Sequence, residues 1–339
     1  HAPFADRLEE AGRKDPALPD LTNEKGERAI DLACLECRRA MQKALFLLSR
    51  YEVDEAPPLH YSATAVVLGA TDHDGDATKR RALKAMRDPS AVLAELEGRA
   101  GLDSKFVVAV VGVHVSKDAD AVDRDPIIKA AGRLKISVDK DQDFGSLPGF
   151  LAKSDRGEVG NDRYEGFKYL VVMELADRSL GTALMHERIA ANEWPLVRKI
   201  GGDLARALDA LHVSGRIHAN VTPSNIVRVP EEVDDFTTFF SWQLIDLDVS
   251  CRIGAPFGTK TPSSGYCPPE MAQVLIDALD ENDVLSPKKL GAYTASVAYD
   301  LWSFGVVLFH LGAAKSLWHT NQDDSVSRVD LQRLASWSK

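Results

Sequence analysis

The stretch RIHANVTPSN, residues 216–225, lies between a predicted helix and two predicted strands. The segment before it, PLVRKIGGDLARALDALHVSG at 195–215, carries apolar residues at helical spacing, begins at a proline and ends at a glycine. After it, NIVRV and WQLIDLDV read as short strands around an insertion. The stretch is therefore predicted to be a loop between a helix and strands.

Other segments on both sides of this loop have clear patterns. Downstream, GYCPPE at 265–270 is followed by the apolar helix pattern YDLWSFGVVLFHLG at 299–312. Upstream, TAVVLGATD and KRRALKAMRD read as strands joined by a turn, PSAVLAELEGRAGL as a helix, and KFVVAVVGVHV and YLVVMEL as strands. The chain is thus predicted to mix helices and strands.

Taken in this order, the segments resemble the protein kinase fold over roughly residues 58–335. RIHANVTPSN resembles the catalytic loop His-Arg-Asp-x-x-x-x-Asn, IDLDV the Asp-Phe-Gly motif, and GYCPPE the Ala-Pro-Glu end of the activation segment. The resemblance implies an α+β, bilobal fold with a small β-rich N-lobe and a larger helical C-lobe. Because further helices normally follow in that fold, and because the chain begins at His1, we expect a piece of a longer protein, truncated at its C-terminal end.

The predicted organisation has three parts. Residues 1–52 form a helical cap, 53–173 the N-lobe and 174–339 the incomplete C-lobe, with the proline-rich DEAPPLH at the first boundary. The polar, charge-rich residues at about 116–165 are expected to form a long loop or insertion on the N-lobe, with one short strand-like piece near LKISV at 134–138. The literal Asp143-Phe144-Gly145 lies in that insertion, before the catalytic-loop-like stretch, so by order it is not the metal motif.

The segment TNEKGERAIDLA, residues 22–33, resembles the opening of an ankyrin repeat. A single repeat cannot bury its own faces, so this segment is expected to be the capping repeat of an array. A simple helical hairpin is the alternative.

The resemblance assigns the nucleotide-binding residues mainly to the predicted N-lobe. In ALKAM, Lys84 matches the lysine that contacts the phosphates, and Glu95 in the following helix matches its ion-pair partner, with Glu97 as the alternative. It also implies that Val67 forms an apolar lid over the base and that Met173 lies at the back of the nucleotide pocket. Glu174 and Ala176 match the hinge.

In the predicted C-lobe, Asn220 stands at the position of the catalytic base, and Asn225 and Asp246 match the metal ligands. The resemblance also implies a structural role for three other residues. They are His218 in the loop, Asp300 in the helix below it and Glu270 in GYCPPE. ATP and Mg²⁺ are accordingly the expected cofactors.

Several positions depart from the kinase pattern. His60, Ser62 and Ala65 stand where the Gly-rich loop has glycines, which weakens the expected phosphate cradle. Leu247 and Asp248 replace the Phe and Gly of Asp-Phe-Gly, and the sequence leaves open whether Asp248 assists a cation or repels phosphate.

The catalytic-loop-like stretch itself has lost three residues. Asn220 replaces the base, and an amide cannot take a proton at neutral pH, a loss of about 10²–10⁴ in rate. Thr222 replaces the lysine that contacts the transferred phosphate, which lowers the rate by roughly another 10²–10³. Ala219 replaces the arginine that reads a phosphorylated activation segment.

Composition narrows the choice of partners and compartment. The net charge of −10 argues against nucleic acid as the main partner. The 4 cysteines, the lack of a visible signal peptide and the lack of a run of 18 apolar residues predict an intracellular, cytoplasmic protein without a membrane span. Other proteins, in a larger assembly, are the expected partners.

These observations predict a pseudokinase, a kinase fold that acts as a scaffold or nucleotide-sensing module with impaired or absent phosphoryl transfer. One alternative is a weak or atypical Ser/Thr protein kinase that uses ATP and Mg²⁺ to phosphorylate protein hydroxyls. The other is a structural subunit of a larger assembly with an empty pocket.

Overall fold

In the computed structural model, the chain divides into two compact units. The first comprises residues 1–88, 111–124 and 137–175, and the second comprises 89–110, 125–136 and 176–339. The structure describes residues 22–23, 25–33, 35–62, 64–74, 78–142, 166–234, 237–258, 260–280, 285–321 and 324–337. Both helices and strands are present, so the predicted α+β composition is confirmed.

A seven-stranded sheet dominates the described part of the first unit. Its strands are β1 Tyr51–Val53, β2 His60–Tyr61, β3 Ala65–Asp72, β4 Lys79–Met86, β5 Val110–Ser116, β6 Ser137–Gln142 and β7 Tyr169–Glu174. Their order is β1-β3-β4-β7-β5-β6, with β2 also paired to β3. The predicted strands on either side of the HDGDA turn are β3 and β4, which pair antiparallel from Ala65 opposite Met86 to Asp72 opposite Lys79.

One face of this sheet forms the core of the first unit. Side chains alternate between the two faces of a strand, so Val66 and Leu68 share a face with Ala85 and Leu83, their partners on β4. This face packs into one cluster together with further residues of β1, β3 and β7 and of the segments just before β1 and β7, namely Leu47, Tyr51, Ala70, Phe167, Leu170 and Val172. The opposite face of β3 and β4 carries the residues predicted to bind nucleotide.

In the described part of the chain before the sheet lie two short helices, α1 Ala29–Leu32 and α2 Leu35–Leu45. Ile30, Met41 and Phe46 bury their side chains in a small cluster between them. The chain then enters β1, whose Tyr51 lies opposite Asp72 and whose Val53 lies opposite Ala70. The predicted boundary after residue 52 therefore falls within a strand, and DEAPPLH connects two strands that both pair with β3.

The predicted loop at about 116–165 is a helix and a strand where the structure describes it. Helix α3 Pro89–Glu97 precedes β5, and helix α4 Ala121–Arg133 follows it and leads into β6, which runs parallel to β5. A loop is the wrong expectation for residues 121–133, because their frequent charges hide a short apolar face in the sequence, on which Ile127, Ala130 and Ala131 are buried at helical spacing. Asp143-Phe144-Gly145 and the rest of the insertion up to residue 165 lie outside the described residues.

The second unit is mainly helical. After α3 and the latter part of α4, it contains α5 Leu180–His186, α6 Trp194–Val213, α7 Pro269–Ala278, α8 Val297–Ala313 and α9 Arg328–Ala335. Its strands are β8 Arg178–Ser179, β9 Arg216–Ile217, β10 Ile226–Asp234, β11 Thr237–Leu244 and β12 Cys251–Arg252, with 3₁₀ turns at Pro223–Asn225 and Pro287–Ala292. β8, β10 and β11 form one small sheet, and β9 pairs with β12.

Helix α6 fixes the start of the loop at 216–225. Its apolar face, which includes Ile200, Leu204 and Leu211, is buried in the main core of the unit together with Val307 of α8. Pro195 lies in its first turn, and Gly215 after its end has a φ of 81°, a left-handed conformation that favours glycine. Among the described residues, no helix combines the length and apolar character that crossing a bilayer requires.

Candidate functional site

The loop at 216–225 is held from below by one buried carboxylate. Asp300 on α8 is fully buried, and its Oδ2 and Oδ1 accept hydrogen bonds from the backbone N–H groups of His218 at 2.7 Å and Ala219 at 2.9 Å. His212, at the end of α6, places its Nε2 2.9 Å from Asp300 Oδ2. One side chain thus joins the loop to two helices, in the bracing position that the resemblance gives Asp300.

The middle of the loop is closed by its own polar groups. The Asn220 backbone N–H donates to His218 Nδ1 at 3.2 Å, and the Asn225 side-chain amide donates to the Asn220 carbonyl oxygen at 3.0 Å. Asn220 Oδ1 accepts from the Ser263 backbone N–H at 3.3 Å. Asn220 is therefore held by its side chain, its N–H and its carbonyl oxygen, and an amide at this place can orient a hydroxyl group without removing its proton.

Thr222, at the position of the missing lysine, points inward. Its side chain is buried, and its Oγ1 has no hydrogen-bond partner within the described part of the chain. A short buried hydroxyl lacks the reach and the charge of a lysine ammonium.

Two residues of the site have left-handed backbones. Ala219 has a φ of 68° and Asp246, just after β11, has a φ of 66°. Such conformations of residues other than glycine are uncommon and persist where surrounding contacts over-determine them. At Ala219, the contact is the bond to Asp300, and beside Asp246 the Ile245 N–H donates to the Asn225 carbonyl oxygen at 3.0 Å.

Three acidic side chains meet beside this loop in the second unit. Glu95 on α3, Asp246 and Asp248 each have a carboxylate oxygen within 4.8 Å of the others. Glu95 is fully buried, and Arg99 donates to its Oε1 at 2.5 Å and to its carbonyl oxygen at 2.8 Å. The structure thus brings Glu95 and Asp246 together and adds Asp248.

The alternative residue, Glu97, has different surroundings. It is partly exposed, and its Oε1 lies 3.6 Å from Nη1 of Arg133, on α4. Of the two glutamates, Glu95 is the one beside Asp246.

The chemistry of these oxygen donors fits a hard cation such as Mg²⁺, which binds carboxylate and amide oxygens. Asp246 and Asp248 would supply carboxylates, and Oδ1 of Asn225 is the atom of that amide that could coordinate, since its nitrogen bonds Asn220. Both oxygens of Asp248, however, lie 2.6 Å from the Lys260 ammonium. A cation at this place would have to compete with Lys260 for those oxygens.

In the first unit, three of the predicted nucleotide residues share one face of the sheet. Val67 lies opposite Lys84 in the β3–β4 register, and Met173 lies opposite Ala82, two residues before Lys84. Partners in register and residues two apart on a strand face the same way, so Val67, Lys84 and Met173 lie on one face. Lys84 and Met173 are buried there.

The residues predicted as the hinge lie at and just after the end of β7, and two of the positions predicted for glycines lie at the turn that leads into β3. Glu174 ends β7 with an exposed side chain, and Ala176 is the first residue of the second unit after Leu175. Ser62 accepts a hydrogen bond from the Ala65 N–H through its Oγ at 3.1 Å. The Ala65 N–H is therefore bonded within its own turn, at one of the positions where the resemblance expects a glycine.

The GYCPPE motif leads into α7. Tyr266 and Cys267 are buried, whereas Glu270 lies exposed in the first turn of α7, where a carboxylate interacts favourably with the helix dipole. Burial raises the pKa of the Cys251 thiol to about 11 and that of Cys267 further, so neither is a thiolate nucleophile at neutral pH.

Gly265→Ala is expected to lower the free energy of unfolding by about 1–3 kcal/mol, because overpacking forces side chains and backbone to shift. A Cβ at this position would lie 2.5 Å from Thr320 Cγ2 and 2.8 Å from the carbonyl oxygen of Asp324. Gly258→Ala is the matched control, since among the described residues other than its chain neighbours no atom lies within 4 Å of its added Cβ. Urea denaturation compares the two variants, and equal midpoints would contradict the close contact at Gly265.

Comparison with known families agrees with this geometry. The family model described as the protein kinase domain matches residues 163–338, just over half of the chain. The chain belongs to the protein kinase family. The kinase match includes the catalytic loop, Asp246, GYCPPE and α8, and it leaves residues 58–162 of the predicted resemblance outside.

The curated relatives are kinases. Serine/threonine-protein kinase VHS1 of Saccharomyces cerevisiae is 25% identical over 148 residues, 44% of this chain and 30% of its own length. Serine/threonine-protein kinase Kist of Homo sapiens is 26% identical over 150 residues, 44% of this chain and 32% of its own. Serine/threonine-protein kinase PKZ1 of Phytophthora infestans is 26% identical over 147 residues, which are 43% of this chain and 34% of its own length. The chain spans about a third of the length of these relatives.

Sequence reasoning missed three residues of this kinase site, Arg99, His212 and Lys260. Arg99 had a local signal, because Glu95 and Arg99 are four residues apart, a spacing that places side chains on one helical face. His212 and Lys260 had none, since their partners Asp300 and Asp248 lie 88 and 12 residues away along the chain.

Proposed function

We propose that this protein is a pseudokinase, a kinase-fold module for protein interaction or nucleotide sensing with impaired or absent phosphoryl transfer. The observation that carries the proposal is the setting of Asn220. Its side-chain amide stands where the family has a catalytic carboxylate, and its Oδ1 accepts from the Ser263 N–H. The backbone of Asn220 is held by His218 and Asn225. The side chain can position a substrate hydroxyl but cannot act as its base, a loss of about 10²–10⁴ in rate.

Thr222 supports the same proposal. Its hydroxyl is buried in the position of the lysine that faces the transferred phosphate. Loss of one such electrostatic stabiliser lowers the rate by roughly 10²–10³. Phosphoryl transfer depends chiefly on positioning and charge, so the two losses together predict a rate lower by several orders of magnitude.

A transfer assay tests this proposal. With γ-labelled ATP, a broad set of protein substrates and either Mg²⁺ or Mn²⁺, the wild-type chain is expected to transfer no more label than Lys84→Ala. Lys84 is the buried lysine on β4 that the family resemblance assigns to the phosphates. Robust transfer that disappears in Lys84→Ala would overturn the proposal.

A weak Ser/Thr protein kinase is the second candidate, favoured by the names of the relatives and by the retained Asn225 and Asp246. Under this candidate, Asn220→Asp restores the base and raises the rate. Under the pseudokinase proposal, Asn220→Asp stays at background, because the buried Thr222 still stands in place of the lysine and the Ala65 N–H is still bonded to Ser62. Circular dichroism of the variant controls for folding.

Binding of ATP separates nucleotide sensing from a purely structural role in a larger assembly. A saturable rise in melting temperature at sub-millimolar ATP with Mg²⁺ supports sensing. No rise at saturating ATP supports the structural role.

The interaction role has a candidate surface in the ankyrin-like segment at 22–33. Asn23 Oδ1 accepts from the backbone N–H groups of Lys25 at 2.9 Å and Glu27 at 3.0 Å, and Gly26 has a φ of 78°. This closed turn before α1 suits a turn-and-helix repeat, which stacks on neighbouring repeats. We propose that other proteins are bound through such an array.

A further inference from the structure

The Lys260 ammonium lies against the carboxylates of Asp248 and Asp246. Its Nζ lies 2.6 Å from both Oδ1 and Oδ2 of Asp248 and 3.8 Å from Oδ2 of Asp246. The Asp248 side chain is only 2% exposed, whereas that of Lys260 is 37% exposed. A nearly buried carboxylate is thus neutralised by an ammonium group whose other side faces solvent.

The chain around Lys260 is fixed on both sides. Before it, the Phe257 N–H donates to the Tyr293 carbonyl oxygen at 2.8 Å, and after it the Ser263 N–H donates to Asn220 Oδ1 at 3.3 Å. The lysine is therefore delivered to Asp248 by an anchored segment, which reduces the entropy lost when the ion pair forms.

A divalent cation and Lys260 would need the same oxygens. Mg²⁺ binds carboxylates at about 2.0–2.1 Å and Mn²⁺ prefers similar oxygen ligands, so neither leaves room for an ammonium 2.6 Å from both oxygens of one carboxylate. Two cations within a few ångströms also repel each other strongly where water is partly excluded.

We propose that Lys260 is a built-in counter-ion that competes with divalent cations for Asp248 and Asp246. In the resting chain it neutralises Asp248 and keeps cation affinity low, and a divalent cation binds only when the Lys260 side chain swings away to solvent. The inference shares one assumption with the proposed function, namely that Asp246 matches the aspartate that binds the metal ion in protein kinases. It explains Asp248, whose role the sequence leaves open, as the anchor of Lys260.

Binding of Mn²⁺ without nucleotide tests the proposal. Lys260→Met is expected to lower the Kd for Mn²⁺ at least ~10-fold, which corresponds to about 1.4 kcal/mol. Lys260→Gln, which removes the charge but keeps a hydrogen-bond donor, is expected to shift it in the same direction, and Lys260→Arg to stay near wild type. The readout is the electron paramagnetic resonance signal of free Mn²⁺ at constant ionic strength.

Lys288→Met is the matched control. Lys288 is exposed in the 3₁₀ turn Pro287–Ala292 of the same unit, so its removal changes the net charge equally without touching Asp248. If Lys288→Met and Lys260→Met gained the same affinity for Mn²⁺, the net charge of the chain would explain the effect and the proposal would be overturned. Absence of measurable Mn²⁺ binding in every variant would overturn it as well.

Thermal stability gives a second readout. In EDTA, Lys260→Met is expected to melt below wild type because Asp248 loses its ammonium partner, and Mn²⁺ is expected to restore much of that loss. A variant as stable as wild type in EDTA, and unchanged by Mn²⁺, contradicts the proposal. Neither readout involves phosphoryl transfer, so failure here and failure of the pseudokinase proposal are distinguishable.

Discussion

Replacing Asp300 by alanine is expected to lower the free energy of unfolding by about 3–5 kcal/mol, the usual effect of removing one partner from a buried charged network. The His218 and Ala219 N–H groups would lose their acceptor in a fully buried place, and each unsatisfied group costs about 1–3 kcal/mol. The left-handed Ala219 would also lose the contact that holds its backbone. Urea denaturation followed by tryptophan fluorescence measures the loss.

Asp209→Ala is the control for this experiment. Asp209 is exposed on α6, so its replacement is expected to change stability by no more than about 0.5 kcal/mol. Asp300→Asn should be intermediate, since an amide oxygen accepts from one N–H while its NH₂ faces the other. Equal stability of Asp300→Ala and Asp209→Ala would contradict the bracing role, and if the alanine variant does not fold, the asparagine variant carries the comparison.

Acid is expected to destabilise the first unit through His114. This residue is buried on β5, with its Nε2 2.8 Å from the Tyr51 hydroxyl and its Nδ1 3.0 Å from Asp139 Oδ2 on β6. Burial lowers the pKa of His114 to about 4, and it outweighs the nearby Asp139 carboxylate, which acts in the opposite direction and is half exposed.

The sign of the effect follows from that pKa. Below the ordinary value of 6.5, the unfolded chain binds a proton at His114 that the folded chain does not bind until pH about 4. Stability is therefore lost as the pH falls from 6.5 to 4, by about 3 kcal/mol in total at 1.36 kcal/mol per pKa unit.

Urea midpoints at pH 7 and pH 4.5 test this expectation. Wild type is expected to lose about 2–3 kcal/mol more than His114→Gln over this range, because a glutamine side chain binds no proton in the folded or the unfolded chain. His186→Gln, at an exposed histidine of α5, is expected to behave as wild type. The same pH dependence in wild type and His114→Gln would exclude His114 as its source.

Much of the architecture could be predicted from the sequence. The strands β3, β4 and β7 and the helices α6 and α8 lie where periodicity placed them, because each has several apolar residues at a regular spacing that burial then satisfies. The insertion could not be predicted in the same way. Helix α4 buries only Ile127, Ala130 and Ala131 among many charges, which is too few for a clear period.

The candidate site could also be predicted only in part. Asn220, Asn225, Asp246 and Asp300 could be named as candidates because the motifs of the kinase family have fixed order and spacing along the chain. The surroundings of Asp248 could not be found, because its cation comes from Lys260, 12 residues further on, in a segment with no regular pattern.

By itself, the sequence determined the family, the order of the main helices and strands outside the insertion and the presence of an amide at Asn220, since periodicity, motif order and residue identity are properties of the chain. Only the tertiary structure decided which groups meet. It joined Asp300 to a backbone N–H 82 residues away, chose Glu95 over Glu97 as the neighbour of Asp246, and set Lys260 on Asp248. The physical reason is that a buried carboxylate needs a donor or a cation, and packing decides which one comes within reach.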